Sequence, residues 1–170
     1  MESRRQSRFL GLDRDAIEQI EREALTMVMY LAIVILAVHL ARGDDATASE
    51  DVALIWGTAV GLGLAHLFAY DLAAVFAQKS GITREELLSS LGMVAAVVAT
   101  SVVAILPYLF IGDTDDAATM SSAALGGLIG LTAYSAARRV GANRSRALLM
   151  TFAAVGLAAA VVVVKFLLTH

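Results

Sequence analysis

Cysteine is absent from the chain, so there is no disulfide framework, no thiolate metal site and no cysteine nucleophile. Charge is scarce. Only 17% of residues are charged and 58% are hydrophobic, against about 25% and 45–50% in a soluble domain. Proline occurs once, as Pro107. The sequence contains no phosphate loop, no zinc-protease motif and no nucleophile elbow. No enzyme is therefore expected, and no nucleic-acid partner. Nor is a cleavable signal peptide, because MESRRQSRFLGLDRD stays polar for too long and the first apolar run is a full span.

What is present is apolar sequence gathered into long runs, with a mean hydropathy of +0.73. A helix that crosses a bilayer needs about 20 mostly apolar residues, at about 1.5 Å rise each over about 30 Å of hydrocarbon. Five such stretches are expected, at about 23–41, 52–78, 87–111, 120–137 and 147–168. The fold class is all-α: a polytopic membrane helix bundle of five transmembrane helices. A single integral membrane domain covers 1–170, and a flexible basic N-terminus occupies 1–14.

Helix starts and stops are written into the connections. Asp15 with Glu18, and Thr83 with Glu86, have capping-box spacing, which satisfies free backbone N–H groups at a helix start. Glu18 and Arg22 form a favourable i,i+4 pair. Gly81 suits a helix stop. Pro107, near the far end of the third span, removes one helical bond and predicts a bend or an end there.

Loop charges set the expected topology. Arg4, Arg5, Arg8, Arg14 and Arg22 precede or open the first span, Lys79 and Arg84 follow the second, and Arg138, Arg139, Arg144 and Arg146 follow the fourth. The other two loops, GDDATASED and GDTDDAAT, are acidic. Basic loops stay cytoplasmic, so the N-terminus is expected inside and the C-terminus outside. The localisation that follows is the inner (plasma) membrane, multi-pass. The short loops leave no room for a soluble catalytic domain.

Small residues recur at four-residue spacing: Gly57, Gly61 and Ala65; Gly126 and Gly130; Ala154 and Ala158. This pattern lets helix backbones approach closely in lipid, within one chain or between two.

An ionisable group inside the hydrocarbon is costly and marks a candidate site. His66 falls near the middle of the second span, with Tyr70 and Asp71 about one turn further on. At about 100° per residue, Gly63, His66 and Tyr70 share a face and Asp71 lies about 140° from His66. One reading is a proton or cation path, with Asp71 as carboxylate, His66 titrating near neutral pH and Tyr70 as a hydroxyl between faces. The other places Asp71 at the inner interface, bound to arginine or water, and gives His66 a hydrogen bond that holds two helices together. Glu23 opens the first span, with Met27 and Tyr30 on its face at i+4 and i+7. A carboxylate beside a thioether is a donor pair for a borderline divalent metal; ordinary interfacial packing is the plainer reading. Glu85 and Glu86 start the third span at the same depth, and Glu86 is read as a cap. Asp71, Glu23, Glu85 and Glu86 are candidates for one cytoplasmic vestibule.

Lys165, near the outer end of the last span, is expected to snorkel to the interface. Five spans with only a terminal lysine argue against a retinal Schiff base. His39, Trp56, Pro107 and Tyr108 fall near the outer boundary, where aromatic belting accounts for Trp56 and Tyr108. Arg138 and Arg139 are positive-inside determinants and candidate contacts for anionic lipid headgroups.

Glu23–Ala24, LAHLFAYDLA, ARRVGANRSRALL and VVVVKFLLTH resemble small five-span integral membrane proteins of high-GC bacteria, a group without an assigned activity. REAL at the first span, Tyr70–Asp71 in the second and LPYLF (106–110) ending the third are more distantly similar to the vacuolar iron transporter family. That resemblance implies five spans, an inside N-terminus, a homodimer, and exchange of protons for a divalent metal. It carries over to Asp71, Glu23 and Met27 alone. The family's Asp-Gly motif is replaced by TMVMYL, and its long helices between spans two and three by a short loop.

The expected function is a small cation transporter or channel, proton-coupled, using intramembrane carboxylates, with protons or a divalent metal ion as substrate. The alternative is a non-transporting membrane scaffold, lipid-binding or accessory subunit.

Overall fold

The computed structural model describes residues 14–39, 46–76 and 84–169. These form five α-helices: α1 (Arg14–His39), α2 (Ala48–Phe76), α3 (Arg84–Phe110), α4 (Thr114–Arg139) and α5 (Arg144–Thr169). Among the described residues there is no β-strand. Number and order match the five expected helices. Two of them are long and apolar enough to cross a membrane by length and composition: α2 over Ala48–Tyr70, with mean hydropathy 1.8, and all of α3, with 2.3.

The helices start earlier than the apolar runs do, because polar first turns are capped. Thr47 and Glu50 form a reciprocal capping box: the Thr47 amide donates to Glu50 Oε2 at 2.8 Å, and the Glu50 amide donates to Thr47 Oγ1 at 3.3 Å. This starts α2 at Ala48 and draws Asp51, expected in the loop, into the helix. Asp113 caps α4, accepting from the amides of Asp115 and Asp116 at 3.0 Å each. The expected loop GDTDDAAT is therefore mostly first-turn helix, where acidic side chains complement the helix dipole. Asp15 lies inside the first turn of α1 rather than capping it. The Thr83 box and Gly81 fall outside the described residues. Pro107 does not end α3; the helix runs on to Phe110, and the Ile111 amide still donates to the Pro107 carbonyl at 2.9 Å.

Between α4 and α5 the chain makes a Schellman turn. The Ala142 amide donates to Ala137 O and the Gly141 amide to Arg138 O, both at 3.1 Å. Gly141 takes φ +81, the one place where the turn requires glycine. Asn143 then caps α5 through the Arg146 amide at 2.9 Å.

Cross-contacts fix the helix directions. Glu23 and Ser89 meet near one end of the bundle, as do Glu21 and Arg139; His39, Asp51 and Tyr108 meet at the other. So α1, α3 and α5 run one way and α2 and α4 the other. Helix α1 touches all four others and is the centre of the bundle. Its Met27, Leu31, Ala32 and Ile35 are buried among Ile55, Ala96, Ile105, Leu125 and Ile129. The Ser121 hydroxyl crosses from α4 to the Ala104 carbonyl of α3 at 2.6 Å. The core is thin. Large apolar side chains cover the outside, including Phe110 at 81% exposed and Phe152 at 72%.

Helix α2, which carries the intramembrane polar residues of the sequence reading, is peripheral. Among its described residues the buried ones are Asp51, Ile55 and Ala59, at i, i+4 and i+8, all in its first half. Beyond Ala59 the same face comes away from α1, leaving His66, Ala69 and Ala73 exposed.

Candidate functional site

The separation of α2 from α1 opens a cleft of about 520 Å³, lined by Arg22, Glu23, Thr26, Met27 and Tyr30 from α1 and by Leu62, Ala65, His66 and Ala69 from α2. It brings together four residues singled out in the sequence: Glu23, Met27, Tyr30 and His66. The i, i+4, i+7 spacing of Glu23, Met27 and Tyr30 puts them on one face of α1, and His66 faces them because it continues the Ile55–Ala59 face of α2.

Glu23 is held in place. The Ser89 hydroxyl of α3 donates to Glu23 Oε2, and Gln19 Nε2 donates to Glu23 Oε1 at 2.9 Å. One turn of α1 and the start of α3 thus orient the carboxylate. Met27 is 2% exposed and forms the floor. His66 lies open in the cleft. Arg22 also lines the cleft.

A second, wholly apolar cavity of about 170 Å³ lies between α2 and α3, walled by Trp56, Val60, Leu64, Val94 and Val98. Met27 and His66 line both spaces. Trp56 is 38% exposed and walls this space.

The remaining expected residues fall elsewhere. Tyr70 is half-buried and does not line the cleft. Asp71 lies in α2, and its side chain is outside the described residues, as is that of Lys165. Neither Glu85 nor Glu86 lines the cleft. Among the described residues no group of three or more histidines and carboxylates is placed to hold a metal ion. Arg138 donates to the Ala142 carbonyl at 2.9 Å, and Arg139 pairs with Glu21. Both arginines are exposed and keep further N–H donors for a headgroup.

Sequence reasoning missed the polar cluster at the opposite end. Tyr108 Oη donates to Asp51 Oδ2 at 3.1 Å and lies 3.3 Å from His39 Nε2. His39 is 4% exposed and Asp51 1%. The cluster ties the end of α1, the start of α2 and the end of α3. Tyr108 is thus a half-buried hydrogen-bonding residue. The signal was the Thr47-x-x-Glu50 spacing: starting the helix there puts Asp51 on the face of Ile55 and Ala59.

Comparison with known protein families, with characterised proteins and with solved structures yields no match to this chain.

Proposed function

We propose that the chain is a multi-pass integral membrane protein of the inner (plasma) membrane, with all five helices crossing the bilayer. The cleft between α1 and α2 is proposed as the cytoplasmic mouth of a path for protons or a small cation. One observation carries the membrane reading. Helix α2 carries apolar side chains on every side, yet only 11% of its most apolar 18-residue stretch within Ala48–Tyr70 is buried. A helix that is hydrophobic all round needs an apolar surrounding, and soluble monomers rarely expose apolar patches beyond a few hundred Å². Exposed Phe68, Leu131, Leu149, Phe152 and Leu157 extend that surface over α2, α4 and α5.

Charge supports the orientation. Arg22, Arg84, Arg138, Arg139, Arg144 and Arg146 gather at the cleft end, and Glu50, Asp113, Asp115 and Asp116 at the other. By the positive-inside rule the cleft faces the cytoplasm, with the N-terminus inside and the C-terminus outside.

The chemistry of the mouth supports transport. Glu23 is a fixed carboxylate, His66 is an accessible imidazole with both ring nitrogens available to donate or accept, and Met27 closes the floor. Leu31, Ile35 and Ile55 fill the core beyond it. The arrangement is that of a path open on the basic side and closed by dry packing on the other. Resemblance to the iron transporter family favours a divalent metal and a homodimer. Two donors and a thioether, in a cleft that Arg22 also lines, favour protons or a weakly held cation. The second reading, a scaffold or accessory subunit, is favoured by the two hydrogen bonds that already occupy Glu23.

The test is flux in proteoliposomes, followed with a proton dye and a panel of monovalent and divalent cations. Wild type is compared with His66→Ala, Glu23→Gln and Asp71→Asn. Flux that falls more than about tenfold in a folded His66→Ala protein supports the path. No flux for any ion, or flux indifferent to His66 and Glu23, sinks transport and leaves the scaffold.

A further inference from the structure

Two spaces meet at Met27 and His66, and they differ in chemistry. The cleft between α1 and α2 is lined by both Arg22 and Glu23, one cation and one carboxylate. The cavity between α2 and α3 is wholly apolar. Its wall along α2 runs from Leu67 to Trp56, a rise of about 16 Å at about 1.5 Å per residue. Val60, Leu64, Val94 and Val98 border it and are 43–63% exposed, so it opens outward between the two helices.

That opening faces hydrocarbon when α2 and α3 cross a bilayer, and an apolar cavity of about 150 Å³ stays dry and takes apolar guests. In depth the two spaces follow one another. The cleft lies toward the basic end of the bundle, and the cavity reaches from Leu67 past the middle of α2. A polar head at the cytoplasmic interface with an alkyl chain running inward from it is the shape of an inner-leaflet lipid.

The charges narrow the head. A guanidinium and a carboxylate together match a zwitterion, phosphate for Arg22 and ammonium for Glu23. Glu23 already accepts from the Ser89 hydroxyl and from Gln19 Nε2. An ionised carboxylate has about four lone-pair sites, so about two remain for N–H donors. A primary ammonium fills them, whereas a quaternary one has no N–H to give.

We propose that the joined cleft and cavity bind one inner-leaflet phospholipid with a phosphoethanolamine head. The head sits between Arg22 and Glu23, and one acyl chain runs along Val98, Val60 and Trp56. This deepens the reading above and rests on its membrane part, not on transport. Head and ion share Glu23, so the lipid competes with the ion for the mouth of the path.

Trp56 is the chain's one tryptophan and lines the cavity, so its fluorescence reads the occupant. The full protein, purified in an alkyl maltoside detergent, is titrated with phosphatidylethanolamine brominated on its acyl chains, and native mass spectrometry counts the lipids retained. Quenching is expected to saturate at one lipid per chain. Brominated phosphatidylcholine and phosphatidylglycerol should need at least about tenfold more lipid. Arg22→Gln and Glu23→Gln should each weaken phosphatidylethanolamine binding at least about tenfold, as charge-assisted contacts are lost. Val98→Phe, which narrows the cavity from an exposed position, should remove the saturating phase for every headgroup. Quenching that rises in proportion to the lipid fraction, alike for all headgroups, is ordinary surrounding lipid; it overturns the site and keeps the membrane reading. A saturating phase that Arg22→Gln and Val98→Phe both leave within about twofold of wild type also overturns the site. Both positions are exposed, so the test stands should Glu23→Gln not fold. No quenching by any brominated lipid, in micelles or in reconstituted vesicles, overturns the site and the membrane reading together. Saturable binding in a protein that carries no ion keeps the site and defeats only the transport path.

Discussion

Tyr108 Oη and Asp51 Oδ2 lie 3.1 Å apart and join the end of α3 to the start of α2. Asp51 is 1% exposed, so its carboxylate depends on protein donors rather than water. Removing one donor from a buried charged acceptor costs about 1–3 kcal/mol. Tyr108→Phe keeps the ring and removes only the hydroxyl. It is expected to destabilise the purified protein by that amount, seen as a lower Tm. An unchanged Tm would show that the bond adds nothing net.

The apolar exterior sets a second expectation. Leu157 sits mid-way along α5 and is 66% exposed. Arginine at the centre of a membrane helix costs about 2.5–3.5 kcal/mol on insertion scales, whereas an exposed substitution in water changes stability by about 0.5 kcal/mol or less. Leu157→Arg is therefore expected to reduce membrane-integrated protein strongly. Val140→Arg, in the turn between α4 and α5 and 80% exposed, is expected to be neutral. Equal tolerance of both in alkaline-extracted membranes would remove the bilayer from around α5.

The five helices and their order were legible because apolar runs and polar breaks are separated cleanly along the chain. Their starts were less so. Thr47-x-x-Glu50 and Asp113 carry capping chemistry inside segments whose acidity reads as loop, which hides the place of Asp51 in the first turn of α2. The meeting of Glu23, Met27 and His66 was legible only in part. Helical spacing puts Glu23 and Met27 on one face of α1 but says nothing of how far α2 stands away. The Thr47-x-x-Glu50 spacing could put Asp51 on the buried face of α2, but its meeting with His39 and Tyr108 depends on the ends of three helices coming together.

The Thr47 box makes a third expectation. Its hydroxyl accepts from the Glu50 amide at 3.3 Å and donates to Glu50 Oε2 at 2.8 Å. Losing an N-cap hydroxyl costs about 0.5–2 kcal/mol. Thr47→Ala should lower the Tm and speed amide exchange in the first turn of α2, while Thr47→Ser should restore most of both. Equal exchange in all three proteins would mean that the helix start is held by packing of Asp51 and Ile55 instead.

The glycines of α2 divide by what surrounds them. A Cβ at Gly63 would lie 3.3 Å from Val97 Cγ2 of α3, whereas one at Gly57 or Gly61 meets nothing within 4 Å. Gly63 is therefore a packing position inside the chain, and Gly57 and Gly61, with exposed Ala65, form an open small-residue face. Overpacking costs about 1–3 kcal/mol, so Gly63→Leu is expected to lower the Tm without altering the oligomeric state. At Gly61 the added side chain meets no atom of its own chain, and monomer stability should hold within about 0.5 kcal/mol. If a second copy covers this face in the proposed homodimer, Gly57→Leu and Gly61→Leu push the helices apart and convert dimer to monomer, because close backbone approach is what small residues provide in lipid. Light scattering of the solubilised variants decides between the cases. A dimer that survives both leucines pairs through another surface, and a wild-type monomer leaves the face to lipid.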